Sequence, residues 1–583
     1  RLLAEYPNYE HNDKVLYQKA RAYDELGRTD EAMETMERLI REYSYSGHYD
    51  EVQFRRAEYF FTRRQFRDAE AAYASVTSLG PDSSYYELAR YKLGWTLYKQ
   101  DFYEDALHQF MALLDHKVEI GYDFDQTESE DDERRVADTY RVISLSFTNL
   151  GGPEVVQEYF TGFGHRGYED RIYSNLGEHY LAKLRYDDAT RTYRSFVEQY
   201  PFHRSSPHFS MRVVEIFTQG GFPKLVLESK KDFAGRYGLN AEYWHHFDPA
   251  ESPEVIGFLK ANLKDLANHY HAQYQDAALA QEKPANYAEA LHWYGAYLES
   301  FPADAESPVI NYQLADLLLE NEDFGEAARQ YERTAYEYPA HERSDAAGYA
   351  AIFAHRQALG RAPEDQRELA RRETVASSIR FADAFPEHDQ AAAVLGAAAD
   401  DLHGMHEYPQ AVTTARRIID SYPGADPAIR RSAWLVAGHG SFELGEYAQA
   451  EQAYVEVLAA TPADDGSRAA LADNLAASIY KQGELASASG DDRSAADHFL
   501  RIRAAAPTST IRAAAEYDAG AALIRLQDWT AAASVLEAFR SGYPDHELSK
   551  DATRQLAFVY REGGQLTRAA GEYDRVAAES TDP

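Results

Sequence analysis

The sequence predicts an all-α solenoid, a right-handed superhelix of antiparallel helix pairs with about 13 repeats, some of them degenerate. Three observations predict this fold. An aromatic residue followed by proline recurs along the chain, as in Tyr200-Pro201 and Tyr422-Pro423. An alanine stands twelve residues before many of the recurring prolines, usually with an aromatic residue four positions after it. Apolar residues recur at helical spacing within each repeat, which indicates two amphipathic helices.

This alanine, which we call the anchor alanine, sets the period of the repeat. The steps from Ala32 to Ala69 and from Ala69 to Ala106 are both 37 residues. The anchor alanines are Ala32, Ala69, Ala106, Ala189, Ala290, Ala327, Ala411, Ala450, Ala495, Ala532 and Ala569. Proline disfavours helix at the residue before it and cannot continue a helix itself, so it ends the second helix and begins the next repeat. Small residues on the first helix, such as Gly177, let the two helices approach closely, and large aromatic side chains fill the space beside that contact.

The regularity of the repeat varies along the chain. We predict regular repeats over 1–116, degenerate repeats over 117–252 with an acidic loop at 117–135 and a possible joint at 205–252, longer helices over 253–423, and alanine-rich repeats over 424–583. The sequence opens without methionine in what looks like the tail of a helix, and it ends without a polar capping helix. Solenoids need capped ends, so we interpret the chain as a fragment of a longer protein.

Composition excludes several classes of partner and site. The 583 residues carry 96 acidic and 60 basic side chains, a formal net charge of -36. This charge argues against nucleic acid and anionic membrane surfaces as partners, because both are bound through Lys and Arg. The absence of cysteine excludes disulfides, zinc thiolate sites and cysteine nucleophiles, and it suits an oxidising compartment. No apolar stretch is long enough to predict a membrane span.

No catalytic, cofactor-binding or metal-binding residues are predicted. The closest histidine clusters are His245-His246 and His269 with His271, and side chains at such spacings point to different faces of a helix. HExxH, GxSxG, Walker and GxGxxG patterns are absent. The acids within 117–135 favour a solvated loop over calcium binding, since the glycine and terminal glutamate of an EF-hand are missing. Whether this loop binds a cation stays open.

A binding site is expected on the first helices of the repeats, which would line a concave groove. The groove-facing positions lie six and three before, and one, four and five after, the small residue of that helix. The candidate partner-binding residues at these positions are Tyr17, Arg21, Phe54, Phe61, Tyr91, Trp95, Tyr98 and Lys99. Aromatic side chains exposed together suggest a site for a protein or peptide. The alternative is that neighbouring repeats, or a part of the protein before residue 1, cover them.

The spacing within residues 432–462 resembles the tetratricopeptide repeat superfamily, and the resemblance extends over nearly the whole chain. The residues that carry it are Trp434, Gly438, Gly445, Tyr447, Ala450, Tyr454 and Pro462. Residues 301–350 look like the tetratricopeptide proteins of the Gram-negative cell envelope, which include outer-membrane assembly lipoproteins, the Tol–Pal coordinator and components associated with TonB–ExbB–ExbD or gliding motors. This resemblance implies a non-enzymatic scaffold in the periplasm or at the outer membrane. Its partners would be other proteins or peptides, including envelope motor or outer-membrane components.

Two other functions are compatible with a repeat of this type. The chain could be the partner-recruiting or substrate-recruiting region of a larger enzyme whose catalytic domain lies outside it. It could also be a cytosolic co-chaperone that clamps acidic C-terminal peptides, but the acidic net charge and the mixed groove disfavour that interpretation. Cytoplasm is therefore the alternative location.

Overall fold

The computed structural model describes residues 1–126 and 129–579, and the described residues form α-helices and short 3-10 helices with no strand. The all-α prediction is confirmed. After a short first helix, the described helices form fourteen consecutive pairs, slightly more than the about 13 repeats predicted. The chain divides into two compact units, Arg1–Ser300 and Phe301–Pro583, each with seven pairs.

The first unit contains fifteen described helices. They are α1 (Leu2–Glu5), α2 (Asn12–Glu25), α3 (Thr29–Glu42), α4 (Tyr49–Thr62), α5 (Phe66–Thr77), α6 (Tyr86–Tyr98), α7 (Tyr103–Glu119), α8 (Glu130–Leu150), α9 (Pro153–Phe163), α10 (Glu169–Leu181), α11 (Tyr186–Gln199), α12 (Ser206–Gly220), α13 (Pro223–Tyr237), α14 (Pro253–Gln275) and α15 (Lys283–Ser300). Three 3-10 helices lie at Glu242–His245, Pro249–Glu251 and Ala277–Leu279.

The second unit contains fourteen described helices. They are α16 (Ser307–Glu320), α17 (Phe324–Tyr336), α18 (Ser344–Arg361), α19 (Glu364–Ala384), α20 (Ala391–Gly404), α21 (Tyr408–Ser421), α22 (Pro427–Glu443), α23 (Tyr447–Ala460), α24 (Arg468–Ala488), α25 (Asp492–Ala505), α26 (Arg512–Arg525), α27 (Trp529–Gly542), α28 (Ser549–Glu562) and α29 (Leu566–Glu579).

Glycines on first helices allow the close approach that was predicted for them, and the rings that pack on them lie four residues after the anchor alanine. A Cβ atom at Gly177 would lie 2.5 Å from the Tyr193 ring, and one at Gly94 would lie 2.6 Å from the Phe110 ring. Real Cβ atoms essentially never come this close to another heavy atom. The close approach of the two helices therefore depends on the missing side chain, and the ring fills the hairpin core.

The aromatic–proline pairs end second helices, which confirms the prediction. Helix α11 stops at Gln199, immediately before Tyr200-Pro201. A feature the sequence reasoning missed completes the junction, because the Ser206 hydroxyl donates to the Tyr200 carbonyl at 2.6 Å. The same bond joins serine to the aromatic carbonyl six residues earlier at Phe301 and at Tyr543. It supplies a partner for a carbonyl that the helix end leaves free.

The acidic segment is helical at both ends, so the loop is shorter than the predicted 117–135. Lys117 belongs to α7 and is buried, and its ammonium lies 2.8 Å from Glu87 and 2.9 Å from Asp132 of α8. A buried ammonium needs such carboxylate partners. The ion pair between Lys117 and Asp132 therefore holds the ends of α7 and α8 together. Two residues of the predicted loop, Thr127 and Glu128, lie outside the described residues.

The segment 205–252, where a joint is predicted, lies within the first unit. It forms α12, a left-handed turn at Gly221 with φ 74°, α13 and two 3-10 helices. The division into compact units falls later, after Ser300. The joint at 205–252 stays a prediction.

Candidate protein-binding surface

Predicted groove positions on the first helices contact residues of the neighbouring first helix, so α2, α4, α6 and α8 share a continuous surface. We call it the first-helix face. Its residues are Tyr17, Arg21 and Asp24 on α2, Glu51, Arg55, Glu58 and Phe61 on α4, Tyr91, Lys92, Trp95 and Tyr98 on α6 with Lys99 directly after it, and Asp138, Arg141 and Asn149 on α8.

Polar contacts at roughly one repeat's separation connect the helices of this face. The Tyr17 hydroxyl donates to Glu51 at 2.7 Å. Arg55 pairs with Asp24 at 3.1 Å. One helix further along, Lys92 pairs with Glu58 at 3.0 Å. Basic and acidic side chains therefore alternate along the face and largely neutralise one another.

Tyr17 and Phe54 are buried, with 7% and 8% of their surfaces exposed, which contradicts the expectation of exposed aromatic side chains at these two positions. Tyr17 stacks on His48 with ring centroids 3.9 Å apart. The Phe54 ring lies between those of Tyr73 and Tyr85, at 5.7 Å and 5.2 Å. Neighbouring helices cover both rings because packing between repeats uses the same positions. The role of these two residues in partner binding stays a prediction.

Asp138 of α8 binds two aromatic side chains of α6. It accepts hydrogen bonds from the Tyr91 hydroxyl and, at 2.9 Å, from Trp95 Nε1, while Arg141 donates to its other oxygen at 2.8 Å. Burial alone would raise the pKa of Asp138, but hydrogen bonds from Tyr91, Arg141 and Trp95 outweigh it and lower the pKa. Burial together with the Asp138 carboxylate raises the pKa of Tyr91 to about 12.

Trp95, Tyr98 and Lys99 are the predicted residues that the structure brings together at the solvent boundary. The Trp95 ring is half-buried, with Lys99 Nζ 5.4 Å and the Arg141 guanidinium 5.3 Å from its centroid. Cations at these distances are attracted to an indole face. The Tyr98 hydroxyl accepts a hydrogen bond from Asn149 at 3.4 Å. Lys99 is exposed and forms no ion pair within the described part of the chain.

Arg21 and Phe61 complete the predicted set. Arg21 is exposed, with its guanidinium 6.0 Å from the Tyr17 ring and 3.7 Å from Glu25. The half-buried Phe61 ring meets Phe66 edge-on. Both side chains therefore reach solvent on the first-helix face, separated by one repeat.

Tyrosines of the second helices reach the line of first helices, which the sequence reasoning missed. The Tyr193 hydroxyl donates to Glu178 at 2.7 Å, and Arg212 of the next repeat binds the same carboxylate through two bonds at 2.8 and 2.9 Å. Burial opposes ionisation of Glu178, but Arg212 and then Tyr193 outweigh it and lower the pKa. The separation of 15 residues between the carboxylate and the tyrosine could have indicated this contact, since it recurs in the pair Glu58 and Tyr73.

The second unit repeats this arrangement with a histidine. The Tyr454 hydroxyl lies 2.8 Å from His439 Nδ1, again 15 residues apart in sequence. The His403 and His439 rings have centroids 5.8 Å apart. Burial and then the neighbouring His403 lower the pKa of His439.

Within residues 1–126 and 129–579, no group of three or more His, Cys, Asp or Glu side chains is arranged to hold a metal ion. Over the same described ranges, no helix combines the length and apolar character needed to cross a bilayer.

Comparison with known proteins identifies one repeat directly. Residues 14–44 match the tetratricopeptide repeat family model, and this stretch covers nearly all of α2 and the whole of α3. No curated protein matches the chain. The family match thus agrees with the predicted repeat type at the start of the first unit.

Two solved structures are similar to the chain at low sequence identity. A chain of the structure of Naa15/Naa10 bound to HypK-THB is 12% identical, with a TM-score of 0.22, covering 97% of this chain and 75% of that one. A chain of the APC/C hetero-tetramer Cut9-Hcn1 is 12% identical, with a TM-score of 0.17, covering 92% of this chain and 96% of that one. TM-scores this low do not establish a shared overall shape.

Proposed function

We propose that the protein is a non-enzymatic scaffold that binds a peptide or helix of another protein on the first-helix face. The observation that carries this proposal is the continuity of that face across α2, α4, α6 and α8. Repeated helix pairs stacked side by side present such extended surfaces to partners. A segment in extended or helical conformation would contact several repeats at once.

The chemistry of the face supports specific binding more than tight binding. Its charges are arranged in pairs, such as Asp24 with Arg55 and Glu58 with Lys92, so a partner must match an alternating pattern. Half-buried Trp95, flanked by cations, is the type of side chain that anchors an interface. The strongest contacts are therefore expected around α6.

We also propose that the partners are proteins of a bacterial cell envelope. Two observations support this part. Residues 301–350 resemble tetratricopeptide proteins of the Gram-negative envelope, and the chain has no cysteine, which suits an oxidising periplasm. Fractionation of the source cells, with the natural protein detected by antibody, tests the location. Recovery in the cytoplasmic fraction alone would overturn the envelope assignment and leave the scaffold proposal intact.

A matched pair of charge reversals tests the binding face. Lys99→Glu alters an exposed cation beside Trp95, whereas Arg67→Glu alters an exposed cation on the second helix α5. Crosslinked partners from the source organism would be quantified by mass spectrometry for both full-length variants and the wild type. We expect Lys99→Glu to weaken capture of a defined partner and Arg67→Glu to leave it unchanged. Equal capture by both variants would contradict the proposed face.

A further inference from the structure

A cleft lies where α3 faces α4, with a volume of about 440 Å³. Its wall on α3 consists of Thr29, Ala32, Met33 and Met36. The opposite side is formed by Phe54, Arg55, Glu58, Tyr59, Thr62 and Arg63 of the α4 region, with Asp24 and Tyr85 at the ends. This volume falls in the range of sites that hold a small ligand or a large side chain.

The cleft lies where two aromatic rings are missing. In the repeats of Ala189 and Ala532, rings three residues before or four residues after the anchor alanine reach the next helix pair. After Ala189, the Tyr193 ring meets Phe209 of α12 at 4.9 Å, and before it the Tyr186 ring meets Phe222 at 5.9 Å. In the second unit, Trp529 meets Phe558 of α28 in the same way.

The first repeat has Thr29 and Met36 at these two positions. Every other repeat aligned on an anchor alanine keeps an aromatic side chain at one or both of them. Both substituted residues line the cleft. At the seam between α3 and α4, Thr29 and Met36 thus stand where the repeats of Ala189 and Ala532 have rings that reach the next helix pair.

The lining of the cleft suits a neutral aromatic ring. Thioethers such as those of Met33 and Met36 are polarisable and contact rings favourably. Tyr59 presents a further ring, with Arg63 3.6 Å from its centroid. The charged side chains of the cleft are already paired, as Arg55 with Asp24 at 3.1 Å and Arg63 with Asp30 at 3.2 Å. A charged side chain would find no free counter-charge among these pairs.

We propose that this cleft receives an aromatic side chain of a protein partner, which supplies the ring that the first repeat lacks. The proposal rests on the scaffold function, and it names the kind of side chain by which one partner is held. A partner with a Trp, Tyr or Phe in its bound segment fits the cleft, whereas an aliphatic side chain would leave part of the volume and the ring contacts unused.

Methionine methyl signals test the proposal in the unaltered protein. The chain has five methionines, namely Met33, Met36, Met111, Met211 and Met405. With 13C-methyl-methionine labelling, titration with indole should shift the Met33 and Met36 signals through the ring current and leave the other three in place. Cyclohexanemethanol, an apolar alcohol without a ring current, is the control and should bind at least about tenfold more weakly. Equal affinity for the two probes, or shifts confined to other methionines, would overturn the inference.

A filled-cleft variant then links the cleft to protein binding. Thr29→Phe with Met36→Tyr restores both rings, and Gly257→Ala, at an exposed helical position with no atom nearby, serves as the matched control. Peptides would be selected from a random library on the full wild-type chain. We expect selected peptides to contain an aromatic residue and to lose at least about tenfold in affinity for the filled variant only. Helical circular dichroism and the melting temperature check that the variant is folded, and the methionine titration stands independently of it.

The outcomes separate this inference from the proposed function. Peptides that bind the filled variant as tightly as the wild type would overturn the cleft and leave the scaffold function supported. Failure to select any peptide would count against the scaffold function, and against the cleft with it.

Discussion

The two units have the same number of helix pairs but differ in the proportions of the side chains that fill them. The first unit has 30 of the 44 tyrosines and 28 alanines, whereas the second has 14 tyrosines and 64 alanines. Rings pack on glycine in both units, as Tyr193 does on Gly177 and Phe499 on Gly483, but in the second unit the aliphatic Leu536 also packs on a glycine, Gly520. One hairpin geometry therefore accepts both a large planar side chain and a smaller aliphatic one.

The tyrosines of the first unit contribute to packing and to surface chemistry at the same time. A tyrosine fills the hairpin with its ring and carries a hydroxyl to the line of first helices, where Tyr193 binds Glu178. Leucine or alanine at the same position, as at Leu536 and Ala415, only packs. A tyrosine-rich unit therefore places ordered carboxylates on its surface, and an alanine-rich unit does so less often.

Truncation of the packed side chain should have the largest effect and should differ between the units. Tyr193→Ala removes a buried ring and should cost about 3–5 kcal/mol, while Leu536→Ala should cost about 2–4 kcal/mol. Hydrogen exchange measured by mass spectrometry on the full chain would follow amides of α10–α11 and of α26–α27. Each variant should lose protection in its own pair and its neighbours, because repeat stability is local. Equal loss of protection in both units after one substitution would contradict that locality.

Replacing the glycine by alanine should have a smaller effect on stability, and this effect should again differ between the units. Gly177→Ala pushes a methyl group against the Tyr193 ring and should cost about 1–3 kcal/mol. Gly520→Ala should cost less, because the nearest atom, Leu536 Cδ2 at 2.6 Å, ends a flexible side chain. Denaturant unfolding measures the change in unfolding free energy of both variants, and hydrogen exchange shows which helix pair is affected. Gly257→Ala, in open space on α14, should instead stabilise its helix by about 0.5–1 kcal/mol, and destabilisation there would show that glycine packing is not the cause.

Removing only the hydroxyl tests the surface part of the comparison. Tyr193→Phe keeps the ring but leaves Glu178 with Arg212 alone, and it should cost about 1–2 kcal/mol. Tyr454→Phe removes a bond to a neutral histidine and should cost about 0.5–1 kcal/mol. Unfolding free energies of the full-length variants provide the measurement. A larger loss for Tyr454→Phe than for Tyr193→Phe would contradict the greater strength of the charged acceptor.

Local sequence signals predicted the hairpins well and the surface only in part. Proline and helical periodicity act on neighbouring residues, so the end of α11 before Tyr200-Pro201 could be read directly. The binding of Trp95 to Asp138 could not, because the pair lies 43 residues apart across a degenerate repeat. Whether Phe54 is exposed or covered by a neighbouring repeat could not be decided for a related reason, since its ring packs against Tyr85 of the following repeat. Contacts between repeats depend on both partners, and a pattern counted within one repeat does not contain them.

The smallest expected effect is a pH dependence whose largest cause, burial, is the same in the two units and whose second cause differs. Burial lowers the pKa of His179 in the first unit, followed by the charges of Lys183 and Arg185, while burial and then His403 lower that of His439. A histidine whose folded pKa lies below its unfolded value of 6.5 binds more protons when unfolded. Its contribution to stability is therefore complete above pH 6.5 and is lost as the pH falls towards the folded pKa.

Salt should distinguish the two histidines. Raising the ionic strength from about 0.05 M to about 0.5 M screens the exposed cations near His179, so its pKa should rise part of the way towards 6.5. The pKa of His439 should change less, because its second cause is the neighbouring imidazole of His403 and not a lysine or arginine. NMR titration of the two imidazoles, assigned with His179→Gln and His439→Gln, measures both values at each salt concentration. A pKa at or above 6.5 for either histidine at low salt would contradict its burial. An equal salt response at both would show that cations near His179 contribute nothing specific to the first unit.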